Sequence, residues 1–339
     1  MELRESGRHS EVPEVLQRYV DAVEEKNPEV CDMKAEASHA KHLAMAKHWL
    51  SVYRGENTST APALYVEALF DSYADHFEES LRDQLDYKTP EFIIAELQHV
   101  LAGTDGSHPT ATEPSKAARE KRLPFCRCAD LGCGTGLMAP LLRNLGVVRL
   151  EGVDLSEKML EVAQQKGPAG AGYDRLVCGD LTSIFAAQFQ SESGDEYDAA
   201  TREPKIRSGR ASMIEASSGP DRWFDLVVAA DVFVYIGDLR PVLCCMASRL
   251  LPGGFAAFST EAMLHAELLG ENASFRLEDS GRYSHNAAYV RSVARAAGLE
   301  LRSEREVVLR TDGGKPVTGH VHVFEFPGEC RARSPVDVQ

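Results

Sequence analysis

The sequence predicts a doubly wound α/β fold: a mostly parallel sheet of seven strands with helices on both faces, preceded by a helical cap. Three observations predict it. From Phe125 onward, apolar runs of strand length alternate with amphipathic runs of helix length, the pattern of strand–crossover–strand units. The first run, Phe125 to Leu131, leads into three glycines at alternate positions, Gly132, Gly134 and Gly136, then an amphipathic segment, Leu137 to Leu145, stopped by Gly146. The chain closes on two further strand-like runs, Glu300 to Leu309 and His320 to Phe326, around the turn Asp312-Gly313-Gly314.

The chain has 339 residues, of which 43% are hydrophobic, ample for a sizeable core. A net charge of -15 argues against nucleic acid or an anionic membrane as the main partner. Residues Met1 to Val12 carry Glu2, Arg4, Glu5 and Arg8 and lack the apolar core of a secretory signal. No apolar run approaches the ~18 residues of a membrane span, so the expectation is a soluble, cytoplasmic protein. None of the 8 cysteines shows zinc-site spacing: Cys126 and Cys128 share a strand and Cys244-Cys245 a helix. The expectation is reduced, mostly buried thiols and no metal.

The N-terminal part reads as helices. Pro13 to Glu25 and Lys34 to Tyr53 carry apolar faces (Val15, Tyr19, Val23; Leu43, Ala46, Leu50), with Pro28 between them and Gly55 at the end. This pair (1–58) is expected to be an appendage. Ala61 to Asp86 follows, opened by Ser59, Thr60 and Pro62, with Phe70, Tyr73 and Phe77 on one stripe. Thr89-Pro90 starts another helix ending at Gly103. Together 59–102 form a cap or lid, from which Tyr73 could reach a ligand. Residues 103–122, rich in Thr, Pro, Ser and charge, read as a flexible linker.

In the core, 123–327, the second strand is Arg149 to Val153, ending in Asp154. Ser156 is placed to cap Glu157 to Lys166. The third strand, Arg175 to Cys178, ends in Gly179-Asp180-Leu181. Residues 188–221 show neither period and read as a disordered insertion. The fourth strand, Trp223 to Ala229, leads to Ala230-Asp231. A helix at Leu239 to Leu250 and the turn Pro252-Gly253-Gly254 lead to the fifth strand, Phe255 to Thr260. After a segment of mixed character comes the helix Asn286 to Ala297. Residues 328–339 are a tail.

Open α/β sheets bind ligands beyond the carboxyl ends of their strands, and every candidate sits at such an end. Gly134-x-Gly136-x-x-Ala139 fits a relaxed dinucleotide fingerprint, with Asp154 as its acidic residue about 20 positions on. Asp130-x-Gly132-x-Gly134-x-Gly136 instead resembles motif I of the class I S-adenosylmethionine-dependent methyltransferases. A dehydrogenase accounts for Asp154 but not for Asp180 together with the terminal hairpin, so the methyltransferase reading is preferred.

That resemblance implies a Rossmann-like sheet whose last strand runs antiparallel, and S-adenosyl-L-methionine as cofactor. It implies that Gly132, Cys133 and Gly134 offer backbone N–H groups to the methionine moiety, with Asp130 beneath. Asp154 would accept the ribose hydroxyls, Leu155 and Met159 would flank the adenine, and Asp180 and Leu181 would meet its edge. Ala230 and Asp231 would lie near the methyl acceptor. Tyr235, Tyr283 and His285 are further acceptor-side candidates, His285 as a general base where the acceptor is protonated. Three stretches, Ala61 to Glu78, Ala229 to Leu239 and Ser280 to His285, are also similar to predicted methyltransferases often fused to tetratricopeptide repeats, over about Ala35 to Phe326 apart from the two polar insertions. Convincing repeats are lacking here. The expected function is methyl transfer to a small-molecule acceptor. The alternatives are a protein methyltransferase whose N-terminal helices dock the partner, and a non-enzymatic cofactor-binding scaffold.

Overall fold

The computed structural model describes residues 11–25, 33–74, 77–78, 85–103, 125–166, 172–181, 223–263 and 273–328. Apart from Gly103, the segments expected as linker (103–122) and insertion (188–221) lie outside the described residues.

Helix α1 (Val12–Glu25) and helix α2 (Met33–Arg54) pack side by side, tied by Arg54 donating to Gln17 at 2.6 Å and by a Lys47–Glu24 ion pair at 2.6 Å. Helix α3 (Ala63–Tyr73) starts after Pro62. Ser59 and Thr60 do not cap it, as the sequence led one to expect. Their backbone is used elsewhere: the Ser59 carbonyl accepts from the Gly237 and Asp238 N–H groups at 2.9 and 2.8 Å, and Thr60 bridges to Ile236. Helix α4 (Thr89–Leu101) lays Ile93, Ile94 and Leu97 on the sheet. Proline suits its first turn, where an N–H has no helical partner anyway.

The sheet follows. Strand β1 (Arg127–Leu131) leads to α5 (Ala139–Asn144), β2 (Arg149–Asp154) to α6 (Glu157–Gln165), and then comes β3 (Arg175–Cys178). Strand β4 (Phe224–Ala229) leads through a short 3-10 turn (Phe233–Tyr235) to α7 (Arg240–Arg249), and β5 (Leu250–Ala262) follows at once. Strands β6 (Phe275–Leu277) and β7 (Tyr283–His285), helix α8 (Ala287–Ala296) and the hairpin β8 (Glu300–Asp312) and β9 (Lys315–Phe326) complete the chain. The order is β3-β2-β1-β4-β5-β9-β8, parallel through β5, with β9 antiparallel between β5 and β8.

Two features extend the seven-strand expectation. Strand β5 begins at Leu250, so Pro252-Gly253-Gly254 is an irregularity inside it, marked by a register shift against β4. The segment of mixed character contains β6 and β7, three residues each and too short for a periodic pattern. Glu261 pairs with Ser284 of β7 and, on the other side, with Gly319 of β9. Strand β7 therefore lies on the β4 side of β5, beyond the last β4 partner Phe258, and forms a roof over the carboxyl end of β4.

Two apolar layers sandwich the sheet. Phe224, Phe258, Leu243, Met246 and Val290 belong to the α7–α8 side; Cys128, Leu142, Leu150, Ile93 and Leu97 belong to the α4–α5 side. Each large side chain so buried contributes roughly 1.5–3 kcal/mol. A third cluster joins the cap to the roof: Val52, Tyr65 and Val66 meet Leu277 and Tyr283, with Leu155, Phe70 and Tyr235 packed alongside. Among the described residues no helix is long and apolar enough to cross a membrane.

Candidate functional site

The glycine loop follows β1. Gly132, Gly134 and Gly136 have φ of 66°, 52° and 87°, a region costly for residues with a Cβ. A Cβ on Gly132 would collide with Cγ2 of Val232, so fold packing excludes it there. Around Gly134 the surroundings are open: the nearest atom to a Cβ would be Cε1 of Phe77, at 3.8 Å. The loop N–H groups are placed otherwise than the sequence led one to expect. Gly132 and Cys133 both donate to the Val153 carbonyl, at 2.7 and 3.0 Å, and Gly134 donates to Asp154 Oδ2 at 2.8 Å. They lock the loop onto β2, with Gly134 half-buried and its backbone free of a Cβ.

Asp154 closes β2. Its Oδ1 accepts from the Ser156 N–H at 2.9 Å while Oδ2 holds Gly134, and a carboxylate has about four acceptor positions. Capacity for hydroxyl donors remains. Burial raises its carboxyl above the ordinary range, against these amide donors. Asp130 lies deeper, 1% exposed, and Tyr173 donates to its Oδ2 at 2.6 Å. Desolvation pushes it up to about 7, with Tyr173 opposing. It underlies the loop; a cation nearby would return the charge that burial suppresses.

The cap closes over this end. Glu78 accepts from Thr135 Oγ1 of the loop at 2.6 Å and pairs with Lys166 at the end of α6. Asp71 accepts from Ser156 Oγ at 2.7 Å. Among the remaining nucleoside-side candidates, Leu155 is half-buried and packs against the cap–roof cluster, as a wall should. Met159 is fully buried and so cannot present a face. Asp180 and the buried Leu181 follow β3 at the same sheet edge, where the described residues stop.

Across the sheet edge lies a cluster that the sequence reading caught only in part. Half-buried Ala230 packs with the α4–α5 layer. Asp231 has φ 54°, uncommon for a residue with a side chain. Its Oδ1 and N–H both meet Ser259 Oγ, at 2.9 and 2.8 Å, and its Oδ2 accepts from Thr89 at 3.1 Å and Arg310 at 3.4 Å. Buried Arg310 also pairs with Glu261. Strand β8, antiparallel to β9 and hence aligned with β5, brings Arg310 to this end. Tyr87 stands beside Asp231, Arg310 and Thr89; burial raises its phenol well above its usual value. Tyr235 packs its ring on Phe70 at 5.5 Å, and Arg282 bonds both Tyr235 and Asp312, the latter at 2.9 Å.

Tyr283 and His285 do not line this cluster. Tyr283 is fully buried and bonds Thr58 at 2.5 Å. His285 is 1% exposed; its Nε2 donates to the Ile236 and Gly237 carbonyls at 2.9 and 3.1 Å, and burial lowers it to about 4. An imidazole this buried and held by main-chain carbonyls supports the roof, away from the Asp231 cluster. The residue of this stretch that faces the cluster is Arg282. Tyr73, at the end of α3, is 47% exposed. Tyr87, Glu261, Arg282 and Arg310 were not singled out from sequence; strand parity around Tyr283 was the available signal for Arg282. Among the described residues, no group of three or more His, Cys, Asp or Glu converges on a metal position.

A family model described as "Methyltransferase domain" matches residues 88–304. The chain is similar to the ribosomal protein L11 methyltransferases of Desulfitobacterium hafniense, 33% identical over 101 residues, and Ralstonia nicotianae, 33% identical over 79 residues. The matches cover 29% and 23% of this chain, and the chain spans only 32% and 26% of those relatives' length. Among solved structures it is similar to the N-methyltransferase NodS of Bradyrhizobium japonicum (12% identity, TM-score 0.45, covering 77% of this chain and 98% of that one). It is also similar to an S-adenosylmethionine-dependent methyltransferase of Mesorhizobium loti (22% identity, TM-score 0.39, covering 59% and 91%).

Proposed function

The chain belongs to the methyltransferase-domain family, and from that premise we propose that it is an S-adenosyl-L-methionine-dependent methyltransferase acting on a small-molecule acceptor. The observation that carries the reading is the arrangement along one sheet edge. Gly134, where a Cβ would touch only the Phe77 ring, stands beside the buried carboxylate Asp154, and the Asp231 cluster follows under a roof.

The residues fit the cofactor. Asp154 has hydroxyl-accepting capacity beside a backbone that a ligand can approach closely, and Leu155 supplies an apolar wall. Asp130 supplies a buried negative charge under the end where a cation would sit. Asp180 and Leu181 are assigned to the adenine edge, and Cys133 and Gly132 to the loop's fixed frame. When bound, the cofactor supplies an activated methyl group for in-line displacement. The chain's own work is then to orient the acceptor and exclude water. Phe77 and Glu78 close over the loop, Tyr235 and Phe70 form an aromatic wall, and Asp231, fixed by Ser259, Thr89 and Arg310, accepts a hydrogen bond from the acceptor.

The enclosure of these groups between cap and roof favours a small acceptor. The local likeness to L11 methyltransferases supports a second reading, a protein acceptor docked on α1 and α2. We further propose 1–58 as appendage, 59–102 as cap and 123–327 as catalytic core, in a cytoplasmic protein. Calorimetric titration of S-adenosylmethionine, with NADH as control, tests the class. Micromolar binding of the sulfonium cofactor alone, weakened by Asp154→Ala, is expected; binding of NADH alone overturns the reading. Replacement of the exposed α1 residues Val15 and Tyr19 by serine, which leaves Lys41 in place, separates the acceptor readings, since loss of turnover with intact cofactor affinity selects the protein acceptor.

A further inference from the structure

Asp71, on the cap helix α3, stands at a junction that the cofactor assignment above leaves unused. Its Oδ2 accepts from Lys41 Nζ of α2 at 2.9 Å, and Lys41 also pairs with Glu67, one turn earlier on α3, at 2.9 Å. Its Oδ1 accepts from Ser156 Oγ at 2.7 Å. Ser156 is fully buried, and its Oγ accepts in turn from the Met159 N–H at 3.2 Å, capping α6. The Ser156 N–H donates to Asp154 Oδ1 at 2.9 Å. An unbroken polar chain thus runs from α2 through Lys41, Asp71 and Ser156 to Asp154. Burial works against the charge of Asp71, but the Lys41 ammonium and the Ser156 hydroxyl outweigh it and hold the carboxyl below its ordinary range.

We propose that Asp71 is a positioning residue for cofactor binding: through Ser156 it fixes the Asp154 carboxylate toward the ribose hydroxyls, and through Lys41 it makes that setting depend on the N-terminal helix α2. The inference rests on the reading of Asp154 as the ribose acceptor. A buried serine hydroxyl has few rotamers that satisfy both its proton and its lone pair. With Asp71 present, one rotamer both donates to the cap and caps α6. Without Asp71 the hydroxyl proton is orphaned, the first turn of α6 loosens, and Asp154 loses its single orientation. The methionine end is framed chiefly by the Gly132 and Cys133 N–H groups on the Val153 carbonyl, bonds that do not pass through Asp154, and only Gly134 is tied to that carboxylate.

The test is calorimetric titration of S-adenosylhomocysteine into the full chain as wild type, Asp71→Ala, Asp71→Asn, Lys41→Met and Asp154→Ala. Each titration is repeated with an analogue whose ribose lacks both hydroxyls. Asp71→Ala is expected to weaken S-adenosylhomocysteine about tenfold and Lys41→Met about threefold, the worth of a charge-assisted bond acting at one remove. Asp71→Asn falls between wild type and Asp71→Ala, because its amide oxygen still accepts from Ser156. Affinity for the analogue stays constant across the three cap variants, which a general loosening of the fold would not allow. Lys41→Met alters a partly exposed pair and keeps the test alive if Asp71→Ala does not fold. Equal weakening of both ligands overturns the inference alone. So does an unchanged affinity in Asp71→Ala and Lys41→Met while Asp154→Ala binds weakly. Unchanged binding by Asp154→Ala overturns the ribose reading and this inference with it.

Discussion

Replacing Gly134 by alanine separates what the glycine loop does for the fold from what it does for a ligand. At φ 52° the new methyl adds left-handed strain of about 1–2 kcal/mol. It adds no collision, because the nearest atom, Phe77 Cε1, is 3.8 Å away, an ordinary contact. Gly313 in the β8–β9 turn provides the standard, with φ 56° and nothing within 4 Å of an added Cβ. Gly134→Ala and Gly313→Ala should therefore lower unfolding free energy in urea by the same amount, within about 0.5 kcal/mol and without a change in slope. Binding should differ. The methyl intrudes on the opening that the cofactor occupies, and overpacking costs about 1–3 kcal/mol, roughly 5- to 150-fold in Kd. Calorimetry with S-adenosylhomocysteine reads that loss, with Gly313→Ala binding as wild type. Wild-type affinity in Gly134→Ala refutes the placement of the cofactor on this backbone. A stability loss far beyond that of Gly313→Ala refutes the open surroundings.

Three further predictions concern buried charge. Burial raises Asp130 to about 7, above its unfolded value of about 3.9, so its contribution to stability is full below about pH 4 and is lost as pH rises through 7. Asp130→Asn should remove that falling limb from unfolding free energies measured across the range; an identical limb in the variant contradicts the assignment. His285 is lowered to about 4 by burial, so its contribution is present above the ordinary histidine value near 6.5 and is lost as pH falls through 4. His285→Gln should cost about 1–3 kcal/mol and leave cofactor affinity within about twofold; loss of methyl transfer at unchanged stability would return it to catalysis. Arg310→Met leaves Asp231 and Glu261 without their shared cation and should destabilise by about 3–5 kcal/mol. A neutral thermal shift would show that the triad carries no net charge balance.

The parts of the fold legible in the sequence are those with long patterns. Five parallel strands, their helices and the terminal hairpin each span enough residues for periodicity to show, and glycines and Ser156 mark their ends. Strands β6 and β7 escaped because three residues cannot display alternation. The loop N–H groups were misassigned because spacing gives the turn but not its partners, and the Val153 carbonyl and Asp154 take them. On the acceptor side, proximity in sequence misled. Tyr283 and His285 share strand parity and both enter the core, while Arg282, of opposite parity, meets Tyr235. Arg310 and Tyr87 are far apart in the chain: the pairing of β8 with β9, and of β9 with β5, places Arg310 beside Asp231, and Tyr87 arrives just ahead of α4.

The cap and roof also bear on acceptor size. His48 donates from Nε2 to the Gly281 carbonyl at 2.9 Å, and Asn57 bonds both the carbonyl of Phe275 and the N–H of Leu277 at 2.9 Å. Thr58 meets Tyr283, and the Ala61 N–H donates to the Tyr235 carbonyl at 2.9 Å. Lifting α2, the segment that follows it and the start of the cap from the roof and the Tyr235 turn breaks these five bonds at about 1 kcal/mol each, together with the apolar contacts of Tyr65 and Val52. A folded protein segment reaching Asp231 along this seam would have to supply that opening energy from its own contacts. A small molecule entering beside it would not. Amide hydrogen exchange measures the difference: the Ala61 and Leu277 N–H groups should be protected by at least about 4 kcal/mol, both in the free protein and with S-adenosylhomocysteine bound. Exchange of both at rates typical of mobile loops would mean the seam opens freely, and enclosure would then no longer favour a small acceptor over a protein one.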